Sequence, residues 1–288
     1  GDRRWAVTTV RELVESTAAV IGDRTHARWL VEVAVSVDRV DDALDEEVTE
    51  RMVAHLDAMV GRYRTGEPLQ YVLGRWAFRH LDLFVDERVL IPRPETEEVA
   101  GVAIEFARAV EGARTVIDLG TGSGAIGLSL ATELPIDNTS IWMTDISPDA
   151  LAVARANLAG IGRPARNVTI IESRWFDALP ANLQADVIVS NPPYIALGSP
   201  DVDGSVSDYE PEVALYSGSD GLDAIREIIR KAGDFLTVNG ALVLEIGADQ
   251  RLATEYLFEE HGYLDNEVRR DAFGHDRIAI GYWPGSAQ

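Results

Sequence analysis

From Thr115 onward, short runs of β-branched and apolar residues alternate with stretches whose apolar residues recur at helical spacing. That alternation admits few solutions. Strands buried on both faces and joined by helical crossovers form a parallel sheet with helices on either side. Strands are expected near residues 115–119, 140–145, 168–172, 185–190, 240–246, 263–269 and 277–283. The last two lie too close together for a helical crossover, so one of them should run antiparallel to the rest. Ser147-Pro148 supplies a cap and a proline at the first helical position, opening a helix through Leu158 with Gly160 beyond its end.

Residues 1–73 carry a different pattern, that of a small all-α domain. Thr9-Val10-Arg11-Glu12 fits a capping box, followed by Leu13, Val14, Ala18 and Ile21 at helical spacing. Trp29, Leu30, Val33, Ala34 and Val37 make a second stripe. Val48, Met52, Leu56, Met59, Val60 and Tyr63 make a third, after the acidic opening Asp45-Glu46-Glu47, whose charge suits a helix N-terminus. Core packing accounts for these stripes. Gly66 to Gly74 breaks the helical pattern, and residues 74–92 read as a linker in which Phe78 through Val89 alternates like a short hairpin. Leu90-Ile91-Pro92-Arg93-Pro94-Glu95-Thr96-Glu97 is a stiff extended run feeding a helix with Val99, Val102, Ala103 and Phe106 on one face. The α/β domain is expected over residues 93–288.

Composition narrows the function classes. The 288 residues, 46% hydrophobic and 26% charged, suit a globular chain of two domains with ample sequence for a core. A formal charge of −22 argues against a surface built to hold duplex phosphates. Lys231 is the only lysine, which reads as compositional bias or, secondarily, salt adaptation. Zero cysteines rule out disulfides, cysteine nucleophiles and thiolate metal sites. The five histidines (His26, His55, His80, His261, His275) show no metal-ligand spacing, so no metal is expected. No apolar run is long enough to cross a bilayer and no signal segment opens the chain; a cytoplasmic, monomeric protein is expected, and Gly1 reads as a processed or trimmed start.

Two stretches carry chemistry. Val187-Ile188-Val189-Ser190 runs into Asn191-Pro192-Pro193-Tyr194, a buried strand stopped abruptly by a polar residue and two prolines. The prolines leave a stiff loop that presents Asn191 at the strand's carboxyl end. Asn-Pro alone would suggest an Asx turn. The tetrapeptide also resembles the signature of S-adenosylmethionine-dependent methyltransferases that act on planar amino or amide nitrogens. The second stretch is Val116-Ile117-Asp118-Leu119-Gly120-Thr121-Gly122-Ser123-Gly124, a strand entering a glycine-rich turn. Gly122-Ser-Gly124-Ala-Ile-Gly127 also matches the dinucleotide fingerprint, and Asp145 at the next strand end suits ribose hydroxyls in either case. An acid two residues before the first glycine resembles the methyltransferase form, and Asn-Pro-Pro-Tyr has no role in hydride transfer. Asp118 would then orient the turn. Trp175-Phe176 could wall an adenine or equally belong to the core. The long irregular segment Ile195 to Gly221 has the length of a lid or binding element.

Taken together, Gly66-Glu67-Pro68-Leu69 with Tyr71 and Gly74, the run Leu90 to Glu97, Asp118 to Gly124, and Asn191 to Tyr194 resemble, in order, the bacterial release factor glutamine methyltransferases (the PrmC/HemK family). Glu210-Pro211, Ser217-Gly218 and Gly221-Leu222 look like that family's lid region. The resemblance implies a class I methyltransferase fold, a Rossmann-like, mostly parallel seven-stranded sheet. It implies methylation of the glutamine amide nitrogen in the Gly-Gly-Gln motif of class 1 peptide chain release factors, with S-adenosyl-L-methionine as donor. Asp118, Gly120, Thr121, Gly122, Ser123, Gly124, Asp145, Trp175 and Asn191 would bind the cofactor. Asn191, Pro192, Pro193 and Tyr194 would hold the glutamine, with Arg93 and Glu95 beside it; Asn191, Pro192 and Tyr194 would be catalytic. Arg174 stands where the family often carries an acid. A ribosomal-protein glutamine methyltransferase, an adenine-specific DNA methyltransferase and a non-catalytic binding module are the alternatives; Arg93 to Glu97 and the acidity weigh against the first two.

Overall fold

The computed structural model describes residues 8–199 and 208–285. The chain divides into two compact units, Gly1–Arg75 and Trp76–Gln288. In the first, α1 (Val10–Ile21), α2 (Arg24–Val35), α3 (Glu50–Arg64) and the short α4 (Leu69–Leu73) bury Leu13, Val14, Leu30, Val31, Leu56 and Met59 in one cluster. Thr9 and Glu12 form the capping box at the start of α1. Thr49, rather than the acidic run before it, caps α3. The stretch read as irregular holds α4: the Pro68 carbonyl accepts from Tyr71 and Val72 N–H, and Gly74 ends the helix in a left-handed conformation.

From Arg75, the last residue of the first unit, β1 (Arg75–Phe78) and β2 (Leu81–Phe84) make the hairpin, which starts ahead of the expected Phe78 and ends well before Val89. The sheet is built from β3 (Arg114–Leu119), β4 (Thr139–Asp145), β5 (Val168–Glu172), β6 (Ala185–Ser190), β7 (Leu236–Glu245), β8 (Asn266–Arg270) and β9 (Asp276–Tyr282). Their spatial order is β5-β4-β3-β6-β7-β9-β8. The last strand is the antiparallel one, inserted between β7 and β8. Strand β7 starts earlier than expected because Asn239, at φ 63, and Gly240 form an irregularity where the register to β6 slips.

The helices are α5 (Pro94–Ala109), α6 (Ala125–Glu133), α7 (Pro148–Gly160), the single turn α8 (Glu212–Leu215), α9 (Asp223–Ala232) and α10 (Arg251–Glu260). Strand alternation sends Ile117, Leu119, Ile188, Leu242 and Leu244 into a core with Ile225, Ile228 and Ile229 of α9 and Phe258 of α10. The other side chains of β3 face α6, as shown by Asp118 accepting from the Gly127 N–H at 2.9 Å. Strand order reverses at β3 and β6, and in open α/β sheets the crevice beyond the carboxyl ends at such a point is where ligands bind. Gly120 and Asn191 both follow there.

Candidate active site

Beyond the carboxyl ends of β3, β4 and β6 lies a cavity of about 360 Å³, lined by Gly120, Gly122, Asp145, Trp175, Asn191 and Pro193 among others. Its far wall comes from Pro211, Val213, Tyr216, Ser217 and Gly218, in the described part of the long segment after Tyr194. That part is tied down: Ile195 bridges to Tyr216 as parallel strand, and Gln250 Nε2 donates to the Tyr194 carbonyl at 2.9 Å. Residues 200–207, the middle of the segment read as a lid, lie outside the described residues.

The glycine turn is shaped from behind. Gly120 takes φ +66, and a Cβ there would sit 3.3 Å from Trp175 Cζ3. The Thr121 hydroxyl donates to Asp118 Oδ2 at 2.5 Å and the Gly127 N–H to the same oxygen, so one buried carboxylate sets both ends of the turn. Asp118, Thr121, Ser123 and Gly124 therefore build the turn, while Gly120 and Gly122 face the cavity. Asn157 of α7, unnoticed in the sequence, donates to the Ser123 and Phe84 carbonyls and locks the turn to the hairpin. Asp145 accepts from Gly122 N–H and Ser147 N–H, each at 2.9 Å and each on a different oxygen. Both oxygens keep acceptor capacity toward the cavity. Burial pushes its carboxyl above the usual range against these two hydrogen bonds.

Asn191 leaves β6 just after Ser190, whose hydroxyl donates to the Leu119 carbonyl and joins the two strand ends. Its Nδ2 donates to Thr96 Oγ1 at 3.1 Å, and Thr96 donates to Glu245 Oε2 at 2.7 Å. The Tyr194 hydroxyl donates to the other Glu245 oxygen at 3.2 Å, beneath the Arg277 guanidinium. Burial pushes Tyr194 up and Glu245 up to about 7. Pro192 is buried, and it and Tyr194 stand behind the cavity wall that Asn191 and Pro193 face. Thr96, Glu245 and Gln250 escaped sequence reasoning; an acid ending the apolar run Ala241 to Leu244 was the available signal.

Arg93 pairs with the buried carboxylate of Glu210, which also accepts from Ile91 N–H at 3.0 Å; neither Arg93 nor Glu95 lines the cavity. Trp175 and Phe176 part ways. Trp175, at φ 49, walls the cavity, whereas Phe176 stacks on Phe235 in the core at 4.8 Å. Arg174 also lines the cavity, held 2.8 Å from Glu227, so an acid absent from position 174 is supplied by α9.

These residues fit S-adenosylmethionine better than a dinucleotide. Asp145, Asp223 and Glu227 outnumber Arg88 and Arg174 in the lining, with Glu227 paired to Arg174, so the cavity is mildly acidic and accommodates a ligand bearing a sulfonium and an ammonium. Asp118 Oδ1 is buried without a hydrogen-bond partner, and burial pushes that carboxyl up to about 7. A nearby cation would relieve that penalty. Trp175 offers an aromatic face for a purine, and Asp145 two acceptors for a ribose. Among the described residues no group of histidine or acidic side chains could hold a metal ion.

Comparison with known proteins agrees. The family description "PrmC N-terminal domain" matches residues 10–74, and "Methyltransferase small domain" matches residues 105–203. The chain is 39% identical over 254 residues to a release factor glutamine methyltransferase of Burkholderia pseudomallei, covering 86% of each chain. It is 40% identical to one of Lactococcus lactis, over 81% of this chain and 84% of that one. A solved methyltransferase from Pyrococcus furiosus superposes with a TM-score of 0.51 at 18% identity, covering 78% of this chain and 98% of that one, which shows the fold alone. The chain belongs to the release factor glutamine methyltransferase family.

Proposed function

We propose that the protein transfers a methyl group from S-adenosylmethionine to the side-chain amide nitrogen of the glutamine in the Gly-Gly-Gln motif of class 1 peptide chain release factors. The observation that carries this is Asn191: its Nδ2 is spent on Thr96, so its Oδ1 is left as an acceptor at the cavity wall.

An amide nitrogen is a poor nucleophile because its lone pair is delocalised into the carbonyl. Asn191 Oδ1 accepts one N–H of the substrate amide and the Pro192 carbonyl the other, turning the lone pair toward the methyl. Bound S-adenosylmethionine would supply an electrophilic sulfonium methyl, whose carbon–sulfur bond breaks as the nitrogen lone pair takes the methyl, with neutral S-adenosylhomocysteine as the leaving group. The same two acceptors stabilise positive charge developing on nitrogen. Asp145 and the glycine turn hold the donor's position, Tyr194 excludes water behind the amide, and the amide proton leaves to solvent after nitrogen gains its methyl. Holding reactants in line can lower a barrier by up to roughly 7–11 kcal/mol, so no strong general base is required.

Arg93 and Glu95 would meet the residues flanking the glutamine. Residues 1–73 would recognise the release factor, and the enzyme would act as a cytoplasmic monomer with no direct contact to nucleic acid. No helix of the described residues is long and apolar enough to cross a membrane. Asn191→Ala removes the acceptor without disturbing the strand and should lower turnover by about 10²–10³. A folded variant turning over release factor at a rate close to wild type would sink the reading.

A further inference from the structure

An asparagine amide has two ends of similar shape and opposite hydrogen-bonding character. If Asn191 presented its NH₂ to a substrate amide, donor would face donor and methyl transfer would stall. Something must choose the end, and the prolines cannot, because they restrain the backbone alone.

The choice is made behind Asn191. Thr96, in the first turn of α5, lies 2.7 Å from Glu245 Oε2 and 3.1 Å from Asn191 Nδ2. A threonine hydroxyl has one hydrogen to donate. An ionised carboxylate can only accept, so that hydrogen goes to Glu245, and the Thr96 oxygen is left as an acceptor. Only the NH₂ end of Asn191 satisfies it, and Oδ1 must then face the cavity.

We propose that Glu245 and Thr96 are positioning residues that set the polarity of Asn191: Glu245 orients the Thr96 hydroxyl, and Thr96 selects the amide orientation that accepts the glutamine N–H. The proposal rests on the reading of Asn191 given above. Neither residue touches the cavity.

Glu245 is 1% exposed, at the end of β7. The groups facing it are Arg277 of β9, which favours its ionised form, Glu95 of α5, which opposes it, and the hydroxyls of Thr96 and Tyr194, which bond it. A protonated Glu245 could donate to Thr96 and free its hydrogen to point at Asn191. The amide would then invert. Turnover should therefore fall on the acid side as Glu245 takes up its proton.

The test uses the full-length protein with S-adenosylmethionine and a release factor. Thr96→Val keeps the side chain's shape and removes the hydroxyl. It should lower kcat by about tenfold or more, the equivalent of losing one buried hydrogen bond, with cofactor affinity by calorimetry unchanged. Thr96→Ser, which restores the hydroxyl, should recover kcat to within about threefold of wild type. Glu245→Gln has no titrating proton and an amide that can turn either end to Thr96, so kcat should fall and whatever remains should lose the acid limb of its profile. If Thr96→Val fails to fold, the Glu245→Gln profile decides alone. A kcat within about twofold of wild type in folded Thr96→Val, or an unchanged acid limb in Glu245→Gln, overturns the proposal. Full activity of Asn191→Ala would instead overturn the reading of Asn191 on which it rests.

Discussion

Asp118 and Glu245 are carboxyls in places where ionisation is costly: each is fully buried, and burial pushes each up to about 7. An unfolded chain releases these protons nearer pH 4, so in the folded chain the proton is held more tightly. Their contribution is fully present below the unfolded value and is lost as pH rises through about 7. Carboxylates with depressed values, such as Glu133 beside Arg79 and Asp220 beside Arg226, act in the opposite sense and lose their contribution only in acid. Cofactor-free protein should therefore become less stable from about pH 5 to 7 and level off above that, by up to about 1.4 kcal/mol per pH unit for each such group. Denaturant unfolding across that range should show the decline, with a shallower slope in Glu245→Gln. A stability that stays flat or rises there would mean that both acids are ionised throughout. Activity should run the other way, because Thr96 needs an ionised Glu245. The site thus gives up some stability at working pH to keep Asn191 correctly turned.

At the scale of elements, the glycine turn depends on how closely α6 lies against β4. A Cβ at Gly127 would come 2.6 Å from Met143 Cγ and 2.9 Å from Asp118 Oδ2. Gly127→Ala should force α6 outward, costing about 1–3 kcal/mol by denaturant unfolding, and should weaken cofactor binding because the Asp118–Gly127 bond is stretched. An unchanged midpoint with unchanged cofactor affinity would show that this contact is slack. The strands and long helices of this domain were readable because their periodicity extends over many residues and the chain's punctuation (Ser147-Pro148, Gly120 to Gly124) agrees with it. Helix α4 was not: its five residues between Pro68 and Gly74 are too few to show a period. Phe176 and Trp175 look alike in the sequence and separate only because the turn at Trp175 sends one to the cavity and the other to Phe235. Asn191 was visible through its prolines. Its support was not, since Thr96 and Glu245 lie 149 positions apart and meet only once α5 packs on β7.

For the whole molecule, the residues that would touch cofactor or glutamine all lie in the unit Trp76–Gln288. A Gly-Gly-Gln tripeptide offers too little surface to identify one protein among many, because stable recognition usually involves roughly 800 Å² per partner. On the proposed function, the helical unit would supply the rest. A chain beginning near Gly74 should keep cofactor affinity but lose efficiency on intact release factor, with a short Gly-Gly-Gln peptide affected much less. Equal loss on peptide and protein would make the helices a structural support, and undiminished activity on both would make them dispensable. The central claim, that this cavity methylates a release factor glutamine, is tested most directly by locating the product. Purified enzyme is incubated with labelled S-adenosylmethionine and, separately, a class 1 release factor, ribosomal protein and DNA, and labelled fragments are sequenced by mass spectrometry. One methyl group on the side-chain amide of the Gly-Gly-Gln glutamine, with the other two substrates unlabelled, is the predicted result. Label in ribosomal protein or DNA with that glutamine unmodified would contradict it.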